Sequence, residues 1–159
     1  MANTYASDTP EVTREITKLL DQVKSLLDSR KPQEALKLLS RDGSEWARNA
    51  RAVCYLRLGD AQSAVDMLRG LVVSGHINLR HDAPLIFKTN FATALFLSGN
   101  IDGGASLLHD LRNERHDCVQ KLRAAVEQWK SNMSFWEKLR WRLGGKSAPF
   151  SLDYPPGDL

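Results

Sequence analysis

The chain is poor in the features that most directly announce chemistry. It has only two cysteines, Cys54 and Cys118, both inside helix-like text. Two are too few for a disulfide scaffold, and they read as buried thiols in a reducing, cytoplasmic setting. No apolar run approaches the roughly 18 residues of a membrane span. The opening residues, MANTYASDTPEV, lack a basic stretch followed by an apolar one, so no export signal is expected. There is no HExxH, no paired CxxC and no phosphate-binding glycine loop. Strand-like alternation is also missing, which argues against a sheet.

What remains is 159 residues, 42% hydrophobic and 26% charged. That is enough for one modest core of ordinary globular composition. The net charge of +3 is small and uneven. Residues 1–43 balance seven acids against seven bases, whereas residues 130–146 hold five bases and only Glu137 as an acid. An excess of four charges on one short segment falls short of the continuous basic stripe that nucleic acid requires. No nucleic-acid partner is expected.

Apolar residues recur at steps of three and four nearly throughout, which predicts an all-α chain of seven or eight short helices. Residues 1–8 read as a frayed end, with Thr9 as the cap of a first helix ending near Ser29. Lys31-Pro32 starts a second helix, since proline is tolerated in a first turn. Ser44 caps a third over 45–58, and Asp60 a fourth over 61–73. Residues 74–84 form a loop without regular structure. A fifth helix runs over 85–97 and a sixth over 102–111. Residues 114–130 and 132–143 make a seventh and an eighth, joined at Ser131-Asn132. The tail, 144–159, is irregular because Pro155 and Pro156 forbid a helix. Residues 9–143 thus form one domain, with 114–143 as its terminal cap.

Two stretches nearly repeat each other: YLRLGDAQSAVDML, Tyr55 to Leu68, and LFLSGNIDGGASLL, Leu95 to Leu108. Aligned on their glycines, Ala52 falls over Ala92, Tyr55 over Leu95, and Gly59 over Gly99. Asp60 falls over Asn100, Ala64 over Gly104, and Leu68 over Leu108. Small residues on both helices let them cross closely. Glycine permits the positive backbone angle of a helix stop, and Asp or Asn caps the next helix. LLDSRKPQEALKLL, residues 26–39, is an earlier copy with Arg30 in the glycine place.

This pattern resembles the tetratricopeptide repeat. The likeness covers roughly residues 15–111. The copies stand 29 and 40 residues apart, and Arg48 and Lys88 occupy the place of the family's first-helix tryptophan. The resemblance implies a right-handed stack of antiparallel helix pairs, an α-α superhelix with a concave groove. It implies a non-catalytic scaffold, without cofactor or metal, that binds a protein or peptide. Groove positions proposed from helix placement are Arg48, Asn49, Arg51, Lys88, Asn90 and Phe91, whose cations suit an acidic ligand. The family's two-carboxylate clamp is not expected, because these residues miss its register.

A second surface is expected at WKSNMSFWEKLRWRLGGK, which holds three of the four tryptophans. Trp136, Lys138, Arg140, Trp141 and Arg142 could meet an acidic partner, since Trp and Arg are enriched among binding hot spots. The rival expectation is a self-associating domain with Trp136 and Trp141 in a homodimer contact. His76, His81 and Asp82 match no metal-ligand spacing and read as loop residues. His116 and Cys118, two apart on one helix, are expected to point away from each other.

Overall fold

The computed structural model describes residues 10–75, 78–143 and 148–159, with the backbone alone at 10–13 and 140–142. The frayed end at 1–8, the Thr9 cap, His76 and the Gly144-Gly145 stop lie outside the described residues. Eight helices occur among the rest: α1 (Pro10–Asp28), α2 (Pro32–Leu39), α3 (Glu45–Arg57), α4 (Ala61–Val72), α5 (Leu85–Leu97), α6 (Ile101–Asp110), α7 (Asp117–Asn132) and α8 (Phe135–Arg142). The 74–84 loop is less irregular than expected. Val73–Ser74 and Asn78–Leu79 pair antiparallel as β1 and β2. Arg80 secures the return, forking onto Asp82 at 2.7 and 3.2 Å and reaching Glu45 at 2.6 Å.

The helix joints are built as the residue types dictate. At the first echo, Gly59 takes φ 80°. Its N–H donates to the Leu56 carbonyl, and the Asp60 N–H donates to Tyr55, which closes a Schellman stop. Asp60 then accepts from the Ser63 N–H at 3.1 Å and caps α4. Asn100 caps α6 in the same way, accepting from Gly103 at 3.0 Å, and Ser44 caps α3. Arg30 makes the equivalent stop after α1 with φ 59° and the same pair of backbone bonds, to Leu27 and Leu26. A side chain in that left-handed region costs about 1–2 kcal/mol that glycine avoids.

The small residues of the echo answer to packing. A Cβ added at Gly104 would lie 2.9 Å from the Phe96 ring. In the preceding pair, Leu56 and Ala64 hold the equivalent positions. The larger ring in α5 is thus matched by a smaller residue in α6.

Consecutive helices from α1 to α6 pack as neighbours, and α1 touches α3, α3 touches α5, and α5 touches α7. The odd-numbered helices therefore make a row. Leu20, Val23, Ala35, Leu39, Ala50 and Val53 belong to one buried cluster around α1–α3. A larger cluster runs through α4–α7 and includes Leu68, Phe87, Leu95, Phe96, Leu122, Trp129 and Phe150. Helix α8 starts later than expected. Met133 is extended, and Ser134 and Glu137 form a reciprocal capping box.

Candidate functional site: the tail-covered row of odd-numbered helices

The sequence left the destination of the tail open. Residues 148–159, without helix or strand as expected, run across α7, α5 and α3. Trp129 Nε1 donates to the Pro149 carbonyl at 3.2 Å. The buried Phe150 ring lies 5.0 Å from Phe96 and 5.7 Å, edge-on, from Trp129. Lys121 Nζ stands 4.8 Å over the Tyr154 ring. Arg57 donates through Nε to the Pro156 carbonyl and through Nη2 to Gly157 at 3.0 Å.

Two asparagines complete the row. Asn90 pairs with the Asp158 main chain on both sides. Its Nδ2 donates to the carbonyl at 2.8 Å, and its Oδ1 accepts from the N–H at 2.9 Å. The same Nδ2 also donates to Asn49 Oδ1 at 3.0 Å. Both asparagines are buried, at 0% and 2% exposure. Buried amides are costly unless bonded, so these bonds fix the register of the tail. Leu159 packs against the α1–α3 cluster.

Burial shapes the titrating groups here. It pushes the Tyr154 hydroxyl up to about 12, with Asp158 and Asp153 adding to the effect. It pulls the Arg57 guanidinium down, while the Asp158 carboxylate opposes that pull. Residues 148–159 bring two acids, Asp153 and Asp158, and no basic side chain. Lys121 Nζ stands 4.0 Å from the Asp158 carboxylate.

Of the groove residues proposed from sequence, the structure brings Asn49 and Asn90 together. Of the other four, Arg48 and Lys88 are engaged elsewhere. Arg48 Nη2 sits beside Gly70 on α4, and Lys88 donates to the His81 carbonyl at 3.3 Å. Phe91 is in the larger core cluster. Arg51 is half-buried, and its Nε has no acceptor among the described residues. Successive helical residues turn by about 100°, so 48, 49 and 51 could not share one face. The stripe that faces the tail is 49, 53 and 57, at steps of four: Val53 and Arg57 lie at Gly157, and Asn49 is joined to it through Asn90. Arg57, Val53, Lys121 and Trp129 were not singled out. The step-of-four stripe marked Arg57; nothing local marked Lys121.

The second surface is exposed. Phe135 and Trp136 are 70% and 74% exposed, and Lys138, Leu139 and Leu143 are exposed too. The apolar face of α8 is not turned onto the preceding helices as a cap would be. The side chains of Arg140, Trp141 and Arg142 lie outside the described residues.

One pair contradicts the angular expectation. His116 Nδ1 lies 3.0 Å from Cys118 Sγ. His116 is not helical; it is the N-cap of α7, with φ −68° and ψ 142°, so helical angles do not govern it. Its ring also accepts from the Cys118 N–H. Burial pushes the Cys118 thiol up, which disfavours a nucleophilic thiolate. Among the described residues, no group of three or more His, Cys, Asp or Glu side chains is placed to hold a metal. No described helix is long and apolar enough to cross a membrane.

No protein-family model matches the chain, and no curated protein or solved structure matches it.

Proposed function

We propose that the chain is a non-catalytic, tetratricopeptide-like scaffold that holds an extended acidic segment of a partner protein across α3, α5 and α7. In such a superhelix these first helices of the pairs line the concave side. The observation that carries the reading is the docked tail. Arg57 and Asn90 bond its main chain, a mode that accepts an extended peptide of varied sequence. The charge balance between Lys121 and Arg57 and the tail's aspartates favours an acidic ligand.

The test is selection of peptides from a display library against the full chain. Binding of the selected peptides is then compared in the Asn90→Ala and Arg57→Ala chains. Losses of roughly tenfold or more are expected for each. Unchanged binding in both variants overturns the reading.

A second reading is self-association through α8, favoured by the exposed Phe135 and Trp136. Sedimentation over a range of concentrations tests it. A dimer that dissociates on Trp136→Ala supports it, and a monomer at every concentration removes it.

A further inference from the structure

The tail fits its seat imperfectly in two places. Asn49 adjoins the Asn90 amide that holds the tail, and its buried Nδ2 has no acceptor among the described residues. Its own Oδ1 is already engaged by Asn90. A buried donor left unpaired is unfavourable, so this position favours an occupant that supplies an acceptor. The second flaw is a cavity of about 260 Å³ between α7 and residues 151–153, lined on the α7 side by Ala125, Gln128, Trp129 and Asn132.

These flaws divide the tail. Upstream, Phe150 is anchored by two aromatic contacts. Residues 151–153 border the cavity; Ser151 and Asp153 are exposed, and Leu152 alone packs against the core. Downstream, Tyr154–Leu159 is held by main-chain hydrogen bonds and the buried Gly157, with the half-buried Tyr154 and Leu159 packed at its two ends.

We infer that residues 154–159 are an exchangeable plug, hinged over 151–153, that occupies the seat of a partner's segment until that segment displaces it. The inference rests on the peptide-binding reading above. The seat also defines the partner. Gly157 has φ +81°, and a Cβ there would lie 3.0 Å from Val53 Cγ1 and 3.3 Å from Leu56 Cδ1. The displacing segment therefore carries glycine at that place. An acidic residue follows, opposite Lys121, and then an apolar one over the α1–α3 cluster. It also presents an acceptor to Asn49 Nδ2, which the plug does not.

Magnitudes make the exchange measurable. A segment on a short tether competes at an effective concentration on the order of 1 mM. With the plug seated in about nine molecules of ten, the same segment as a free peptide has a Kd on the order of 0.1 mM. The intact chain then binds that peptide roughly tenfold more weakly than an opened one.

The experiment titrates a synthetic peptide of residues 151–159 into the full chain and into its Gly157→Val variant, followed by NMR. Valine at this position cannot take the backbone angle or the space, so the plug is released. Tighter peptide binding by Gly157→Val, lost again when Asn90→Ala is added, supports the plug. Equal, measurable binding by both chains overturns the plug and leaves the peptide-binding reading standing. No binding by a folded Gly157→Val chain also overturns the plug, and the display selection then judges the broader reading alone. Should Gly157→Val fail to fold, hydrogen exchange on the unaltered chain decides. The plug requires the Asp158 amide to exchange at least about tenfold faster than the buried Val53 and Ala92 amides. Equal rates would mean that the segment opens only with the whole domain.

Discussion

Two surfaces of this molecule invert the usual rule. The row of α3, α5 and α7 carries buried asparagines and a half-buried arginine, and it is covered. The face of α8 carries Phe135, Trp136, Leu139 and Leu143, and it is exposed. Polar groups inside and large apolar groups outside are the informative departures in a folded chain. The first has an explanation in the chain itself, because the tail supplies main-chain partners for Asn90 and Arg57. The second has none among the described residues, where α8 makes no substantial contact with another helix. A helix of eight residues is marginal in water by itself. The covered face thus contributes to the fold, and the open face does not.

The largest test of that contrast is Phe150→Ala. Loss of a buried aromatic anchor is expected to cost about 3–5 kcal/mol in urea unfolding. A cost under about 1 kcal/mol would place the whole tail outside the cooperative fold and erase the contrast. Next is Asn90→Ala, expected to cost about 1–3 kcal/mol, because it orphans both Asn49 and the Asp158 main chain. An effect close to zero would mean that the asparagine pair contributes nothing to the seat.

A pH titration sharpens the same side. The Tyr154 hydroxyl is raised from 10.0 to about 12, chiefly by burial. Docking therefore favours the protonated form. Its contribution is complete below pH 10 and is lost as pH rises through 12. Stability should fall across that window, and Tyr154→Phe should flatten this part of the curve. A curve unchanged by Tyr154→Phe would contradict the docked tyrosine. The smallest effect is expected on the open face. Trp136→Ala should change unfolding stability by no more than about 0.5 kcal/mol. A cost above 2 kcal/mol would show that α8 is packed after all, and the comparison would collapse.

Much of the helical scaffold was legible in the chain. Gly59, Asp60, Ser44 and Asn100 act locally, so their caps and stops could be read from neighbours three or four residues away. Even Arg30, in the glycine place, stands at the left-handed angle that the alignment implied. The site was legible only in part. Asn49 and Asn90 stood among the groove positions, but helix placement alone does not separate their face from those of Arg48 and Lys88. Arg57 could have been reached by stepping four residues at a time from Asn49. The His116–Cys118 contact was missed because a capping residue does not follow helical angles. The β1–β2 hairpin was missed because two residues per strand carry no period.

The sequence by itself determined the helix joints at Arg30, Ser44, Gly59-Asp60 and Gly99-Asn100, which small residues let the helices cross, and that the prolines keep the tail extended. All of these follow from interactions spanning a few residues. Only the tertiary structure decided where the tail goes. Arg57 and Gly157 are separated by 100 residues, and Asn90 and Asp158 by 68. Nothing in a local pattern encodes such a meeting. It depends on the stacked helices presenting the Asn90 amide and the Arg57 guanidinium in one row, with an extended main chain there to pair with them.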